Sequence, residues 1–458
     1  MFPRLLPALA LVTALGACET MPPVSRATPS VASVEFQPQL FPRGVRRSNR
    51  TLAEDFLELT FALESGQSLN GLLRHEGPVF VVMRSAELKP YARDLSALLR
   101  RLQREAGVDI RPSADPARAQ IHIEAVPSRQ IQRVYPGAAC FIVPGETSWR
   151  SFRAKPRRDR MRWSDQATLG TTAIFVPSDS TPQDVRDCLH EEIAQALGTA
   201  NDVYRLPDSI FNDDNFHSIL TPFDMLMLRT LYSPELSSGM SRAEVAARLP
   251  AILDRLNPAG RGVPTLPRAP SSPAWKQAIE TAMTRSNSAD KRIDGANRAV
   301  RIASAMRPTD HRLGVALLTR GRLMLRSSPE RAAADFARSW RIFRDAQGPQ
   351  DIRTAQAALH LAVASLREDR FETSLRLAND ALGPALRGEN AVLASGLYAI
   401  RAESLIGLGR ATEAKDARLE SLKWARYAFG DIDGAIASAQ AQLEALAPRP
   451  NATSRQAF

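Results

Sequence analysis

Residues Cys188 to Asp202 read Cys-Leu-His-Glu-Glu-Ile-Ala-Gln-Ala-Leu-Gly-Thr-Ala-Asn-Asp, a run rich in groups able to hold an ion or move a proton. Side chains four apart share one face of a helix, which is how the two histidines of H-E-x-x-H grip a zinc ion while the Glu acts as general base. His190-Glu191 starts such a pattern, but Ala194 stands where the second histidine belongs. One residue further on, Glu191, Gln195 and Asn201 fall at i, i+4 and i+10. Glu192 follows the first of them, and Gly198 lies where a helix must stop for the third group to return. A catalytic zinc needs three good protein ligands and an open position for water. Glu191 can ligate, whereas the neutral amide oxygens of Gln195 and Asn201 suit a harder ion such as calcium better. Three chemistries stay open: zinc hydrolysis with Glu192 as base, binding of another ion through Glu191, Asp202, Asp213 or Asp214, or a metal-free cleft. In the last, Glu191, Gln195 and Asn201 hydrogen-bond one another and hold the turn. His190 lies about 100° round the helix from Glu191 and so leaves the ligand face; His217 is the other imidazole nearby.

These groups must be positioned by a mixed region, residues 47–256, set between two Pro-rich stretches. Apolar periodicity predicts a helix over Leu52–Glu64 and another over Tyr91–Glu105. The all-apolar run Val79–Met83 reads as a strand buried on both faces, and further strands read at Val108–Arg111, Gln120–Val126, Ala139–Val143 and Thr171–Val176. The helix carrying the motif starts after Ser180-Thr181, with Pro182 in its first turn.

The segment Glu191-Glu192-x-x-Gln195-x-x-Gly198-x-x-Asn201-Asp202 resembles, at every spacing, the metzincin pattern H-E-x-x-H-x-x-G-x-x-H-D. Asp208-Ser209-Ile210-Phe211-Asn212-Asp213 resembles the segment that holds the Met-turn, with Phe211 for Met, and Leu220 to Tyr232 resembles the closing helix of a matrix-type metalloprotease. Residues 48–245 are similar to an uncharacterised bacterial family of metzincin-like domains marked by E-E-x-x-Q-x-x-G and S-I-F-N-D. The resemblance implies an α+β zincin-like fold with Glu192 in the general-base position, Glu191, Gln195 and Asn201 in the ligand positions, and Gly198 and Phe211 at the turns. It also implies an extended substrate paired along an edge strand. The loop Trp149–Trp163 borders that edge, and its Trp149, Arg150, Phe152, Arg153, Lys155, Arg157, Arg158, Arg160, Arg162 and Trp163 could receive an acidic peptide or wall polymer; a solvated loop is the other reading.

Residues 1–17 combine Arg4 with a short apolar run and end Leu15-Gly16-Ala17-Cys18, which resembles the bacterial lipobox. That implies a cleaved signal and acyl chains on Cys18, enough for stable membrane anchoring. Glu19, not Asp, follows, which favours the outer membrane facing the periplasm. Residues 18–46 form a Pro-rich tether. With Cys18 acylated, Cys140 and Cys188 remain, and an oxidising periplasm predicts a disulfide between them, two buried free thiols being the alternative. The metzincin-like geometry would set Cys140 on the edge strand and Cys188 on the helix beneath it. The formal charge of +11 could favour anionic head groups or wall polymers, and export excludes nucleic acid as a partner.

Past a Pro- and Gly-rich linker, 257–273, residues 274–448 lack strand signals, and 449–458 read as a disordered tail. Small residues pair twelve positions apart at Gly321 and Ala333, Ala362 and Ser374, Ala402 and Ala414, with starts 41 and 40 residues apart. This resembles tetratricopeptide repeats, which implies an all-α array with a concave surface for a protein partner of the envelope; an irregular helical bundle is the alternative. Asp290–Met306 reads as a capping or partial repeat. The expected protein is a lipid-anchored binding or scaffolding protein, its metzincin-like cleft inactive and without cofactor; zinc or calcium, and a metallopeptidase with non-histidine ligands, are the alternative.

Overall fold

The computed structural model describes residues 45–63, 65–136, 138–156, 163, 166–212, 216–430 and 437. The signal segment, Cys18, the tether to residue 44, Arg157, Arg158, Asp213, Asp214 and the tail therefore lie outside the described residues.

Helix α1 (Asn49–Phe61) buries Leu52, Phe56 and Leu59 at the spacing that puts them on one stripe. Five strands follow: β1 (Val79–Met83), β2 (Ile110–Pro112), β3 (Ile121–Val126), β4 (Phe141–Pro144) and β5 (Thr172–Pro177). They form one sheet in the order β2-β1-β3-β5-β4, parallel throughout except for β4, which runs antiparallel to β5 at the edge. All five occur where apolar patterning predicts strands, offset at the ends by one or two residues.

Alternation along the strands divides their side chains between two layers. Ile121, Ile123, Ile142, Ile174 and Val176 face the main core, shared with α1, α2 (Ala92–Arg101) and the motif helix; Val126, Phe141, Val143, Ala173 and Phe175 face the other side. That second face is covered by two short helices not expected from the sequence, α3 (Ser128–Val134) and α4 (Trp149–Ala154). The expected Trp149–Trp163 loop is thus corrected over 149–154: Ser148 caps a helical turn there, and Phe152 is wholly buried against Phe141 and Phe175.

The motif helix α5 (Pro182–Ala196) opens with a capping box between Thr181 and Asp184. Helices α6 (Pro222–Leu231) and α7 (Arg242–Leu256) follow, each with its own capping box. Asn257, just after α7, exchanges hydrogen bonds with the Val45 backbone and with Asn49, tying the end of this domain to its start.

Beyond it, the described residues hold eight helices: α8 (Pro273–Met283), α9 (Ala289–Ala305), α10 (His311–Met324), α11 (Pro329–Gln347), α12 (Ile352–Arg367), α13 (Phe371–Arg387), α14 (Ala391–Gly407) and α15 (Ala411–Phe429). They pack as successive hairpins, α8 with α9 through α14 with α15. The segment 289–305 is a complete helix paired with α8. The small residues set the close approaches: a Cβ on Gly321 would lie 2.5 Å from the Phe336 ring, and Ser374 donates its hydroxyl to the Ala362 carbonyl at 2.9 Å. Among the described residues no helix is long and apolar enough to cross a membrane.

Candidate functional site

Every terminal carbonyl of a helix that ends in the interior needs a donor. At the end of α5, Thr199 donates to the Ala194 carbonyl at 2.9 Å, His75 Nε2 to that of Ala196 at 3.1 Å, and the Tyr232 hydroxyl to that of Leu197 at 3.0 Å. Burial holds the His75 imidazole below its ordinary pKa, so it stays neutral in this role. Gly198 then turns the chain at φ +123°, with a Cβ there 2.2 Å from the Leu73 carbonyl oxygen. Only glycine fits that turn.

The predicted ligand positions come together around it without forming a ligand set. Gln195, buried, donates through Nε2 to both carboxylate oxygens of Asp202, at 3.2 and 3.1 Å. Asn201 donates through Nδ2 to the Glu58 carbonyl of α1 at 2.9 Å. Glu191 is half-buried and Glu192 buried at 4 % exposure. Two of the three positions thus offer amides already engaged within the chain, and amide oxygens bind zinc poorly. Among the described residues no group of three or more His, Cys, Asp and Glu is placed to hold a metal ion; the residues do not fit a zinc centre.

His190 points away, as its helical position requires: its Nδ1 accepts the Leu220 amide at 3.3 Å, and burial holds its pKa well below the usual value. His217 donates to the Pro207 carbonyl at 3.1 Å. Phe211 is fully buried in the main core, and its segment is pinned by Asp224, whose carboxylate accepts the Ser209 hydroxyl at 2.6 Å and the Ile210 and Thr221 amides at 3.1 and 2.7 Å. Asp224 lies at the third position of α6, so one residue caps a helix and fixes the loop.

Trp149 packs in the aromatic cluster on the sheet face away from α5, with its indole donating to Gln130 at 3.0 Å; Arg150 and Arg153 are exposed on α4. Trp163 is buried in the main core. The aromatic residues of 149–163 therefore serve packing on both sides of the sheet. Cys140 and Cys188 are joined by a disulfide across a Cα separation of 6.0 Å, edge strand to α5.

The helical region docks on this domain through one edge. The turns before α10, α12 and α14 and the end of α15 all meet it, and Tyr204 and Phe216, just past the motif, belong to the helical core. Tyr204 stacks edge-on with Trp275 and its carbonyl accepts from His311 Nε2 at 2.8 Å. Arg312 reaches the Ala269 and Pro270 carbonyls at 3.1 and 2.8 Å, and Arg353 lies over the Phe216 ring at 5.5 Å. From α5, Arg186 donates to the Glu389 carbonyl at 2.9 Å, while Gln183 accepts the Ala391 amide at 3.1 Å. Helices α10 and α12, packed between their neighbours in the array, each leave one residue exposed, Arg322 and Arg367. None of these junction residues stands out as a functional group in the sequence. The one usable signal is that Asp310-x-Arg312 and Asp351-x-Arg353 recur at the repeat period of 41.

A cavity of about 580 Å³ is walled by Leu57, Phe61, Arg205, Arg242 and the segment 265–271. Two of its cations are paired in place: Arg205 and Arg268 both bind Asp55, and each takes a second carboxylate, Glu58 and Glu54.

Comparison with curated proteins and with solved structures returns no match. Residues 49–251 match the family model described as Protein of unknown function (DUF2927). The chain therefore carries a DUF2927 domain over residues 49–251, of unknown function, followed by an all-helical C-terminal region.

Proposed function

We propose that this chain is an envelope lipoprotein that acts by binding, a scaffold built from a catalytically inactive metzincin-like domain and a tetratricopeptide-like array. The observation that carries the reading is the use of Gln195 and Asn201: at the spacing of metal ligands, both amides bond within the chain, to Asp202 and to the Glu58 carbonyl. The metzincin-like part draws further support from the order of helices and strands, the antiparallel edge strand β4, and the glycine turn after the motif helix. The tetratricopeptide-like part is supported by helix hairpins whose small residues recur every 40 or 41 positions. Cys18 would hold the assembly on the outer membrane, facing the periplasm, for an envelope protein partner.

Metal analysis of the chain purified without a His tag tests the inactive domain; stoichiometric zinc, with peptide cleavage abolished by Glu192→Gln, would overturn it in favour of a metallopeptidase with non-histidine ligands. The anchor is tested separately. Cys18→Ser should release the protein from membranes in cells, and continued sedimentation with them counts against the lipid.

A further inference from the structure

Residues 274–430 hold 26 Lys and Arg against 17 Asp and Glu, a surplus of nine within a chain whose formal charge is +11. Much of that charge is neutralised in place: Arg320 takes Asp335 at 2.7 Å, Arg410 takes Glu413 at 2.7 Å, and Arg418 takes Glu403 at 2.9 Å. Six other exposed cations recur in position. Lys291, Arg298 and Arg301 on α9 are exposed, and so are Arg331, Arg338 and Arg341 on α11. The second trio repeats the first 40 residues on, at the same helical positions, since 291, 298 and 301 become 331, 338 and 341. Residues buried beneath them follow the same shift, Ala296, Ala299 and Ala303 against Phe336, Ser339 and Phe343. None of the six side chains bonds to another described residue. Each trio spans about 15 Å of helix, and the second helix of each hairpin carries it. The first helices of those hairpins are α8 and α10, and α10 meets the DUF2927 domain at its start, through His311. The exposed acidic residues on these helices are Asp290 and Asp294 on α9 and Glu330 and Asp345 on α11, the last of which pairs with Arg344 at 3.4 Å.

We propose that the paired basic faces of α9 and α11 are a docking surface for an anionic lipid bilayer. The charge recurs at equivalent positions on two helices, α9 and α11, and so can meet several phosphate head groups at once. The turns before α10, α12 and α14 are engaged by the chain's own domain. Near an anionic leaflet each Lys or Arg contributes about a fivefold gain in affinity, and the gain is screened by salt. The inference deepens the reading of the chain as an envelope lipoprotein: with Cys18 at the membrane, this face would lay the array flat on it.

The full chain carrying Cys18→Ser, and so lacking acyl groups, is sedimented with vesicles of pure phosphatidylcholine or of phosphatidylcholine with phosphatidylglycerol. Binding should require phosphatidylglycerol, weaken with added salt, and fall about hundredfold in the Lys291→Gln, Arg298→Gln, Arg301→Gln triple variant. A control triple of equal charge, Arg376→Gln, Lys415→Gln and Arg426→Gln, should stay within about twofold, and unchanged circular dichroism shows that both triples fold. Equal losses in the two triples, indifference to lipid charge, or binding of an oligoglutamate peptide without vesicle binding would each overturn the proposal. Because the vesicle experiment omits the acyl group, its failure and a failure of the Cys18 anchor are separate results.

Discussion

The Arg186 guanidinium lies 4.3 Å from the centre of the Tyr427 ring, so the motif helix α5 and the last described helix of the array meet through one buried cation. Arg186 is 3 % exposed, and the same side chain binds the Glu389 carbonyl in the turn before α14. Tyr427 in turn reaches Asp94 on α2 at 3.5 Å. A buried guanidinium held by a carbonyl, a ring and nearby carboxylates cannot be removed without stranding its partners.

Arg186→Ala should therefore destabilise the protein by about 3 to 5 kcal/mol. In urea denaturation the transition should move to lower concentration and separate into two steps, with hydrogen exchange rising first across 388–391 and the end of α15. A single transition at the original midpoint would mean that the two regions do not depend on this contact.

The sequence makes the site's backbone legible and its surroundings opaque. Apolar runs locate all five strands because a strand buried on both faces has to be apolar throughout, and Thr181-Pro182 marks the start of α5 because capping is local chemistry. Trp149 and Phe152 read as substrate contacts or as part of a solvated loop, and their packing role is not visible because the side of β4 and β5 that needs covering depends on residues far along the chain. Arg312 and Arg353 look like ordinary surface charge, yet both are buried, because their partners are the linker carbonyls and the Phe216 ring of another domain. Periodicity carries no sign of such pairings.

Gly198→Ala should cost about 3 kcal/mol or more, combining a strained left-handed φ with overpacking against the Leu73 carbonyl. Gly66→Ala is the natural comparison: its φ is +83°, but nothing lies within 4 Å of the added carbon, so backbone strain alone, about 1 kcal/mol, remains. Chemical denaturation of both variants should order them that way. Equal losses would remove the close approach from the account of the turn.

Asp187 introduces a pH dependence. Burial at the domain junction pushes its carboxyl up to about 7, against the opposing pull of Arg186 and a Gln183 hydrogen bond at 2.6 Å. A carboxyl whose folded pKa is raised favours the protonated folded state, so its ionisation penalises folding. The penalty is absent below the unfolded value near 4, grows as pH rises towards 7, and is constant above it. Asp187→Asn should flatten stability between pH 5 and 8 relative to the unaltered chain, measured as urea midpoints. A midpoint difference between the two proteins that does not change with pH would rule this titration out.

The disulfide gives the last expectation. Cys140 and Cys188 lie 48 residues apart, and closing a loop of that length restricts the unfolded chain by about 4 kcal/mol. The bond also ties the residue just before β4, the antiparallel strand at the sheet edge, to the helix that bears the motif, so its loss should be felt locally before it is felt globally. The Cys140→Ser, Cys188→Ser double variant should melt about 10 °C lower, with hydrogen exchange accelerating first in β4 and α4. Helices α8 to α13, which share no covalent link with that edge, should keep their protection at temperatures where β4 has lost it. Uniform acceleration across the whole chain would instead mean that the DUF2927 domain and the helical array unfold as a single cooperative unit, with the disulfide acting only through the unfolded state.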